Sequence, residues 1–306
     1  MKRRRRRSTA SIAVLLVSSV LCLGADRPLP ASHRSEPPLF TFMQFSDVHV
    51  GNPANRPVHR RLEAAVKLAN SLAPAFVIDT GDMTTHPVYE ASAANLAEYG
   101  EYKRYVKPLT MPRYNVPGNH DIGYFDPGGR TRRGGKPWGN YKALVAAYRR
   151  ELGPIDQSFC HLGFRFVLVN NNPPGSRKAG HLSAKQLKWI EGELRQGDTE
   201  FIFCHVQVLR DGTGPPWGES AERLVAMCKK YGVAAVAYGH RHQRHVKTLD
   251  GTQYVMCPDL KMPGHQAVYQ YRVFPDRFEL WLYDVFSQKG EQVSSHAYPR
   301  AAIPRR

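Results

Sequence analysis

Residues 113–121 read Arg-Tyr-Asn-Val-Pro-Gly-Asn-His-Asp, a short strand candidate that runs into a polar cluster. The strand is predicted around 113–116, because a Pro-Gly pair ends it directly afterwards. Asn119, His120 and Asp121 then follow in succession. Three such polar side chains after an apolar strand have no evident packing purpose, so this stretch predicts a functional site at the end of a strand.

Four more apolar strand candidates end in residues of the same chemical types. They are 39–45 before Asp47 and His49, 75–78 before Asp82, 201–204 before His205, and 233–238 before His240 and His242. Ligands of open α/β sheets lie beyond the carboxyl ends of the strands. Five strands would therefore deliver these aspartates, histidines and one asparagine to a single edge.

This ligand set predicts metal ions. Imidazole with carboxylate, and without thiolate, suits Zn, Mn, Fe, Co or Ni rather than calcium. Seven or eight such ligands are too many for one tetrahedral ion, but they fit two divalent or trivalent ions that share a bridging carboxylate. Two metal ions lower the pKa of water and neutralise phosphoryl oxygens in in-line displacement at phosphorus. Gly81, Gly118 and Gly239 fit turns where the backbone passes close to the ions.

The segments between these motifs predict the fold class. Helices are expected at 57–72, 87–107, 140–151, 184–196 and 219–231, a hairpin around 158–170, and further strands at 253–257, 267–274 and 277–283. Alternating strands and helices followed by antiparallel strands predict an α/β layered fold with one mixed sheet or two packed sheets.

Composition excludes several classes of protein. The chain has 306 residues, of which 42% are hydrophobic and 23% charged, so it can bury a core and is not globally disordered. Neither a collagen nor a coiled-coil repeat is visible. The formal charge is +17, and removing the six positive charges of residues 1–25 leaves +11. This charge suggests attraction to anionic partners, but a solvated basic surface is the preferred explanation for the charge alone.

The N-terminus has the layout of a secretory signal peptide. A basic run, Lys2–Arg7, precedes an apolar run, Ile12–Leu23, which is much shorter than the roughly 20 residues that span a bilayer. The protein is therefore expected to be periplasmic or secreted, with a retained anchor as the alternative. The predicted division is signal peptide 1–25, linker 26–37, domain 38–290 and basic C-terminal tail 291–306. The cysteines of the mature chain are either disulfide-bonded or buried thiols: Cys160, Cys204, Cys228 and Cys257.

The series of motifs resembles the calcineurin-like metallophosphoesterase superfamily. The matching motifs are DxH at 47–49, GD at 81–82, GNHD at 118–121, the lone His205 and GHxH at 239–242. The resemblance implies a four-layer αββα sandwich of two mixed β-sheets flanked by helices, with a dinuclear metal site at the carboxyl ends of the strands. It assigns Asp47, His49 and His242 to one metal, Asn119, His205 and His240 to the other, and Asp82 to both.

The same resemblance gives His120 a place beside the metals, where it would protonate the leaving oxygen. Asp121 would either support His120 or cap the loop. Two positions at which this sequence differs from subgroups of the superfamily narrow the choice of subgroup. Met83–Thr85 holds no tyrosine, unlike the second motif of purple acid phosphatases. Thr85 stands where protein phosphatases of the superfamily carry an aspartate that orients the catalytic histidine, which puts a phosphoprotein-phosphatase function in doubt.

A second resemblance is to phosphoesterases related to class III cyclic-nucleotide phosphodiesterases, including the calcineurin-like phosphoesterase domain-containing proteins. The residues that carry it are 118–123, Trp138, Tyr141, 156–159 and 167–170. The expected function is an exported phosphoesterase acting on a small-molecule phosphoester, with diesters favoured and a nucleotide as one candidate. The alternatives are a phosphomonoesterase and a non-catalytic basic binding module. The sequence contains no recognised nucleic-acid reader motif, and no membrane span is expected in the mature chain.

Overall fold

The chain alternates strands and helices before it ends in a run of strands. The computed structural model describes residues 36–51, 57–87, 92–123, 141–172 and 180–299. The helices are α1 (Pro57–Leu72), α2 (Ala93–Val106), α3 (Asn119–Ile122), α4 (Tyr141–Glu151), α5 (Ala184–Leu194) and α6 (Glu219–Tyr231). The strands are β1 (Phe40–Phe45), β2 (Phe76–Asp79), β3 (Arg113–Asn115), β4 (Gln157–His161), β5 (Phe164–Leu168), β6 (Thr199–Phe203), β7 (Ala235–Tyr238), β8 (His245–Leu249), β9 (Thr252–Met256), β10 (Ala267–Val273), β11 (Arg277–Asp284) and β12 (Gly290–Ala297).

These strands form two mixed sheets within the described residues. Sheet I has the order β12-β11-β10-β1-β2-β3, and sheet II has the order β4-β5-β6-β7-β9-β8. In sheet I, β1, β2 and β3 run parallel to one another. In sheet II, β5, β6, β7 and β9 run parallel. The five strands that precede the polar motifs therefore lie in two parallel blocks, one in each sheet.

Three apolar layers hold the sandwich together. The middle layer is aromatic and lies between the sheets, where Phe42 stacks on Tyr271 with ring centroids 4.4 Å apart. Side chains alternate along each strand, so Met43 and Phe45 face the opposite way and pack against α1, α2 and α4. On the other side, Val167 and its neighbours pack against α5 and α6. The expected four-layer αββα architecture is confirmed.

Most predicted elements form, but two strands were not predicted. The missed strand β8 pairs with β9 across an Asp-Gly turn at 250–251, a common hairpin signal. The missed strand β12 pairs with β11 at the edge of sheet I, so the sheet includes residues predicted to belong to a C-terminal tail. Helix α2 begins later than predicted because the Ser92 hydroxyl caps it by accepting a hydrogen bond from the Asn95 amide.

The described residues from Pro37 onward belong to one compact unit. Four parts of the sequence predictions lie outside the described residues: the signal peptide, nearly all of the linker, residues 124–140 with Trp138, and residues 300–306 of the tail. In the described part of the chain no helix is long and apolar enough to cross a membrane. Cys160, Cys204, Cys228 and Cys257 are all free thiols.

Candidate metal centre

The loops after β1, β2, β3, β6 and β7 meet at one edge of the sandwich. The backbone amides of Asp47 and His49 donate to the carbonyls of Gly81 and Asp82, at 2.9 and 2.8 Å, which holds the first two loops side by side. The two sheets are joined by the His240 amide, which donates to the Asp47 carboxylate at 2.9 Å. The polar side chains predicted from the strand ends are thereby brought together.

Glycine is required where two of these loops cross. A Cβ atom on Gly118 would overlap the Asp82 carboxylate and amide, and one on Gly239 would overlap the Ser46 hydroxyl and the Asp47 carboxylate. The backbone thus approaches the acidic side chains more closely than any other residue type allows. Both glycines were predicted to lie in turns where the backbone passes close to metal ions; the close approach seen here is to carboxylates among the proposed ligands.

Several residues of this site have strained backbone conformations. Left-handed φ angles between 51° and 74° occur at Asp47, His49, Asp82, His240 and His242. Non-glycine residues rarely adopt this region, and such strain concentrates at functional sites because the surrounding structure must impose it. The local sequence does not reveal these conformations.

One carboxylate lies between the two halves of the site. The Oδ2 atom of Asp82 is 3.5 Å from His49 Nε2 and 3.3 Å from His205 Nε2. On the first side, His242 Nε2 lies 3.4 Å from Asp47 Oδ1, and His49 completes the group. A carboxylate that faces imidazoles on both sides has the placement expected of a ligand shared by two ions.

The second group gathers around Asn119. Its side-chain oxygen lies 2.8 Å from His240 Nδ1 and 3.1 Å from His205 Nε2. The other nitrogen of His205, Nδ1, lies 2.8 Å from the Thr80 carbonyl, which leaves Nε2 directed at the site. A backbone acceptor on one imidazole nitrogen is the usual way in which a metal-ligating histidine is oriented. The seven predicted ligands therefore fall into the two groups that the resemblance implies.

The residues present fit a pair of metal ions. Within the described part of the chain, Asp47 Oδ1 and both ring nitrogens of His49 are buried and have no hydrogen-bond partner. Leaving such groups unpaired away from water costs about 1–3 kcal/mol each. Because these atoms lie among other carboxylate and imidazole donors, bound cations would satisfy them.

The electrostatics of the two groups also favour cation binding. Burial lowers the pKa of His49 well below its usual value, so its ring is neutral, which is the form that ligates a metal. Burial has the same tendency at His205, but the charge of Asp82 and the hydrogen bond to it outweigh burial and raise the pKa of His205 to about 9. A metal ion that binds His205 at neutral pH must therefore displace a proton.

His120 lies next to this arrangement. One of its ring nitrogens lies within 4.8 Å of ligand atoms of His49 and Asp82, and its backbone amide donates to Asp82 Oδ1 at 2.7 Å. Its Nδ1 is 2.8 Å from the carbonyl oxygen of Thr85. The residue at the position of the missing aspartate thus orients the imidazole through its backbone.

Asp121 makes the contacts of a loop cap, one of the two roles that the sequence left open. Its buried carboxylate accepts hydrogen bonds from the Gly118 amide at 2.8 Å and from the amide and hydroxyl of Thr84 at 2.9 and 2.8 Å. It thereby joins the loop after β3 to the loop after β2. Burial is the main cause that raises the pKa of Asp121 to about 7.

Asp259 is a buried acid near the site that was not predicted. Asp259 follows β9, its Oδ1 lies 4.0 Å from His242 Nδ1, and its Oδ2 lies 2.9 Å from His265 Nδ1. Strand β9 runs parallel to β7, so its carboxyl end reaches the same edge as the motifs. The strand-end rule, extended to this sixth strand, finds the residue.

The sequence model of the calcineurin-like phosphoesterase family matches residues 40–244, about two thirds of the chain. A curated relative, the probable glycerophosphodiester phosphodiesterase GpdQ of Arcobacter nitrofigilis, is 26% identical over 220 residues, which cover 66% of this chain and 71% of the relative.

Solved structures share the fold. The dimetal phosphatase of Danio rerio superposes with a TM-score of 0.63 at 17% identity, over 84% of this chain and 99% of that one. Purple acid phosphatase PPD1 of yellow lupin, Lupinus luteus, gives a TM-score of 0.62 at 12% identity, over 85% of this chain and 54% of that one. The chain belongs to the calcineurin-like phosphoesterase family and is a metal-dependent phosphoric ester hydrolase.

Proposed function

We propose that this protein is an exported phosphodiesterase that uses two metal ions and His120. The observation that carries the proposal is the position of Asp82, whose carboxylate faces His49 and His205 through one oxygen and receives the His120 amide through the other. A single side chain thus ties both ligand groups to the proposed acid.

The residues divide into two proposed ligand sets around Asp82. Asp47, His49 and His242 would hold the first metal, and Asn119, His205 and His240 would hold the second. When bound, the ions activate water near neutral pH and neutralise phosphoryl charge. The partly exposed members of the site are His120, His240 and His242, whereas the other members are buried. Substrate would therefore reach the site from the side on which these three side chains lie.

His120 is proposed to protonate the departing alkoxide. With Nδ1 donating to the Thr85 carbonyl, the proton for the leaving group is carried by Nε2 in the imidazolium form. Histidine is the side chain that most often serves as a general acid or base in catalysis.

A cavity beside the metal centre supports a preference for diesters. It has a volume of about 890 Å³, and His242 forms part of its wall. Most of the wall comes from residues beyond 244, where the family match ends, so the chain's own C-terminal strands would select the substrate. Arg244, Lys289, Asp284 and Glu291 make this wall polar and mixed in charge. Such a cavity suits a hydroxylated or zwitterionic alcohol, in keeping with the name of the GpdQ relative.

The preference is tested by comparing bis(p-nitrophenyl) phosphate with p-nitrophenyl phosphate. Because a diester has a second alcohol group to occupy the cavity, we expect its kcat/KM to be higher by at least about tenfold, or about 1.4 kcal/mol. Both substrates release the same phenolate, so the comparison isolates the second ester group. Faster turnover of the monoester would instead support the phosphomonoesterase.

The proposal includes export through residues 1–25. It is supported by the basic run followed by a short apolar run and two small residues, Gly24 and Ala25. N-terminal sequencing of the protein recovered from the periplasm or culture medium should begin after Ala25. Recovery of the full-length chain from the cytoplasm alone would contradict export and leave the catalytic proposal intact.

A further inference from the structure

Glu98 is a buried acid that belongs to none of the strand-end motifs. It lies on α2 and is only 6% exposed. Gly51, in the loop after β1, packs directly against it, and a Cβ atom there would overlap the Glu98 side chain. The protein therefore makes room for a carboxylate next to the catalytic loops, at a position where burial without partners would be costly.

The partners of Glu98 are in the loop that follows Asp82. Its Oε2 accepts hydrogen bonds from the backbone amides of Thr85 at 2.7 Å and His86 at 3.1 Å, and its Oε1 lies 2.6 Å from His86 Nδ1. Asp121 holds the preceding residue, Thr84, from the other side. The loop is thus clamped between two buried carboxylates.

One peptide group connects Glu98 to His120. The peptide bond between Thr85 and His86 offers its carbonyl to His120 Nδ1 and its N–H to the Glu98 carboxylate. Hydrogen bonds in a chain polarise one another, so a charged acceptor on the N–H side makes the carbonyl a stronger acceptor. The carboxylate thereby favours the imidazole with its proton on Nδ1 and fixes the direction of the ring.

We propose that Glu98 is the positioning residue of His120 and acts through the Thr85–His86 peptide group. This inference rests on the proposed role of His120 as the general acid. Protein phosphatases of the superfamily orient the catalytic histidine with an aspartate at the position of Thr85. Glu98 would orient His120 in its place, through the intervening Thr85–His86 peptide group. It touches neither the ligand groups nor the cavity described above.

The test compares Glu98→Met and Glu98→Gln on two diesters. Methionine fills the space without strong acceptors, whereas glutamine keeps one oxygen for the two amides. One diester is bis(p-nitrophenyl) phosphate, whose good leaving group needs little protonation, and the other is an alkyl diester, glycerophosphoethanolamine, whose alkoxide needs it. We expect kcat for the alkyl diester to fall by about 10–100-fold in E98M and by about 5–10-fold in E98Q. For the aryl diester we expect both variants to stay within about threefold of the wild type, with unchanged metal content.

Glu101→Gln is the matched control, because Glu101 lies on the same helix and pairs with His59, 3.0 Å away. Glu101→Gln should leave kcat unchanged for both diesters. Equal losses on the two diesters, or loss of metal in either Glu98 variant, would contradict the inference. If E98M does not fold, E98Q decides, since a selective loss on the alkyl diester is expected there too. His120→Ala run in parallel separates the two proposals: a selective loss in H120A without one in the Glu98 variants overturns only the role of Glu98.

Discussion

Asp82→Asn is expected to lower kcat/KM for bis(p-nitrophenyl) phosphate by at least about 10³-fold. The change removes the charge of the one carboxylate that faces both ligand groups, at His49 and His205. Without it, Asp47 is the one carboxylate left among the seven proposed ligands, and the group of Asn119, His205 and His240 has no negative charge to offset a cation in a buried site. Elemental analysis of the purified variant should show fewer than two bound metal ions per chain, in parallel with the loss of activity.

Asp79→Asn is the control for this experiment. Asp79 is also fully buried and lies three residues earlier, but it accepts hydrogen bonds from Tyr102 and Gly81 instead of facing the ligand groups. Burial is the main cause that raises the pKa of Asp79 to about 6, so a neutral side chain is tolerable there. Full metal content and activity in D82N would remove the basis of the proposed centre.

His120→Ala should lower kcat for an alkyl phosphodiester by about 10²–10⁴-fold, the usual contribution of a general acid. The loss should be much smaller for a nitrophenyl diester, because nitrophenolate departs without a proton. Metal content should stay at the wild-type level, since His120 is placed beside the ligand groups and contacts Asp82 through its backbone amide, which alanine keeps.

His59→Ala provides a matched substitution on the surface of α1, where His59 pairs with Glu101. His59→Ala should leave kcat unchanged for both the alkyl and the nitrophenyl diester. A uniform loss on alkyl and nitrophenyl diesters in H120A, with metal content intact, would assign His120 to the binding of the phosphoryl group. Loss of the metals would make it a ligand.

Much of the site was predictable because its residues follow apolar strands directly. Asn119, His205 and Asp82 sit at strand ends that can be recognised from composition alone, and parallel strands bring such ends to one edge. Their division into two groups around Asp82 came from the family resemblance, and the distances agree with it. The four-layer fold followed in the same way.

Other features have no comparable local signal. The strand β12 is polar and mostly exposed, as an edge strand is, so neither alternation nor hydrophobicity marks it. Glu98 is an ordinary helical glutamate in sequence, and its importance arises only from the loop that packs over it. The left-handed conformations of Asp47 and His240 are imposed by contacts between the sheets.

The proposed ligands are shared between two sheets: those of sheet I precede residue 120, whereas those of sheet II follow residue 204. No partly folded chain that lacks one sheet could assemble either complete group around Asp82. Metal binding should therefore follow the packing of the two sheets, and bound ions would then stabilise the contact between the sheets. Nitrogen and oxygen donors discriminate weakly among these metals. The identity of the bound ions would consequently depend on which metals are available in the compartment where the chain completes folding.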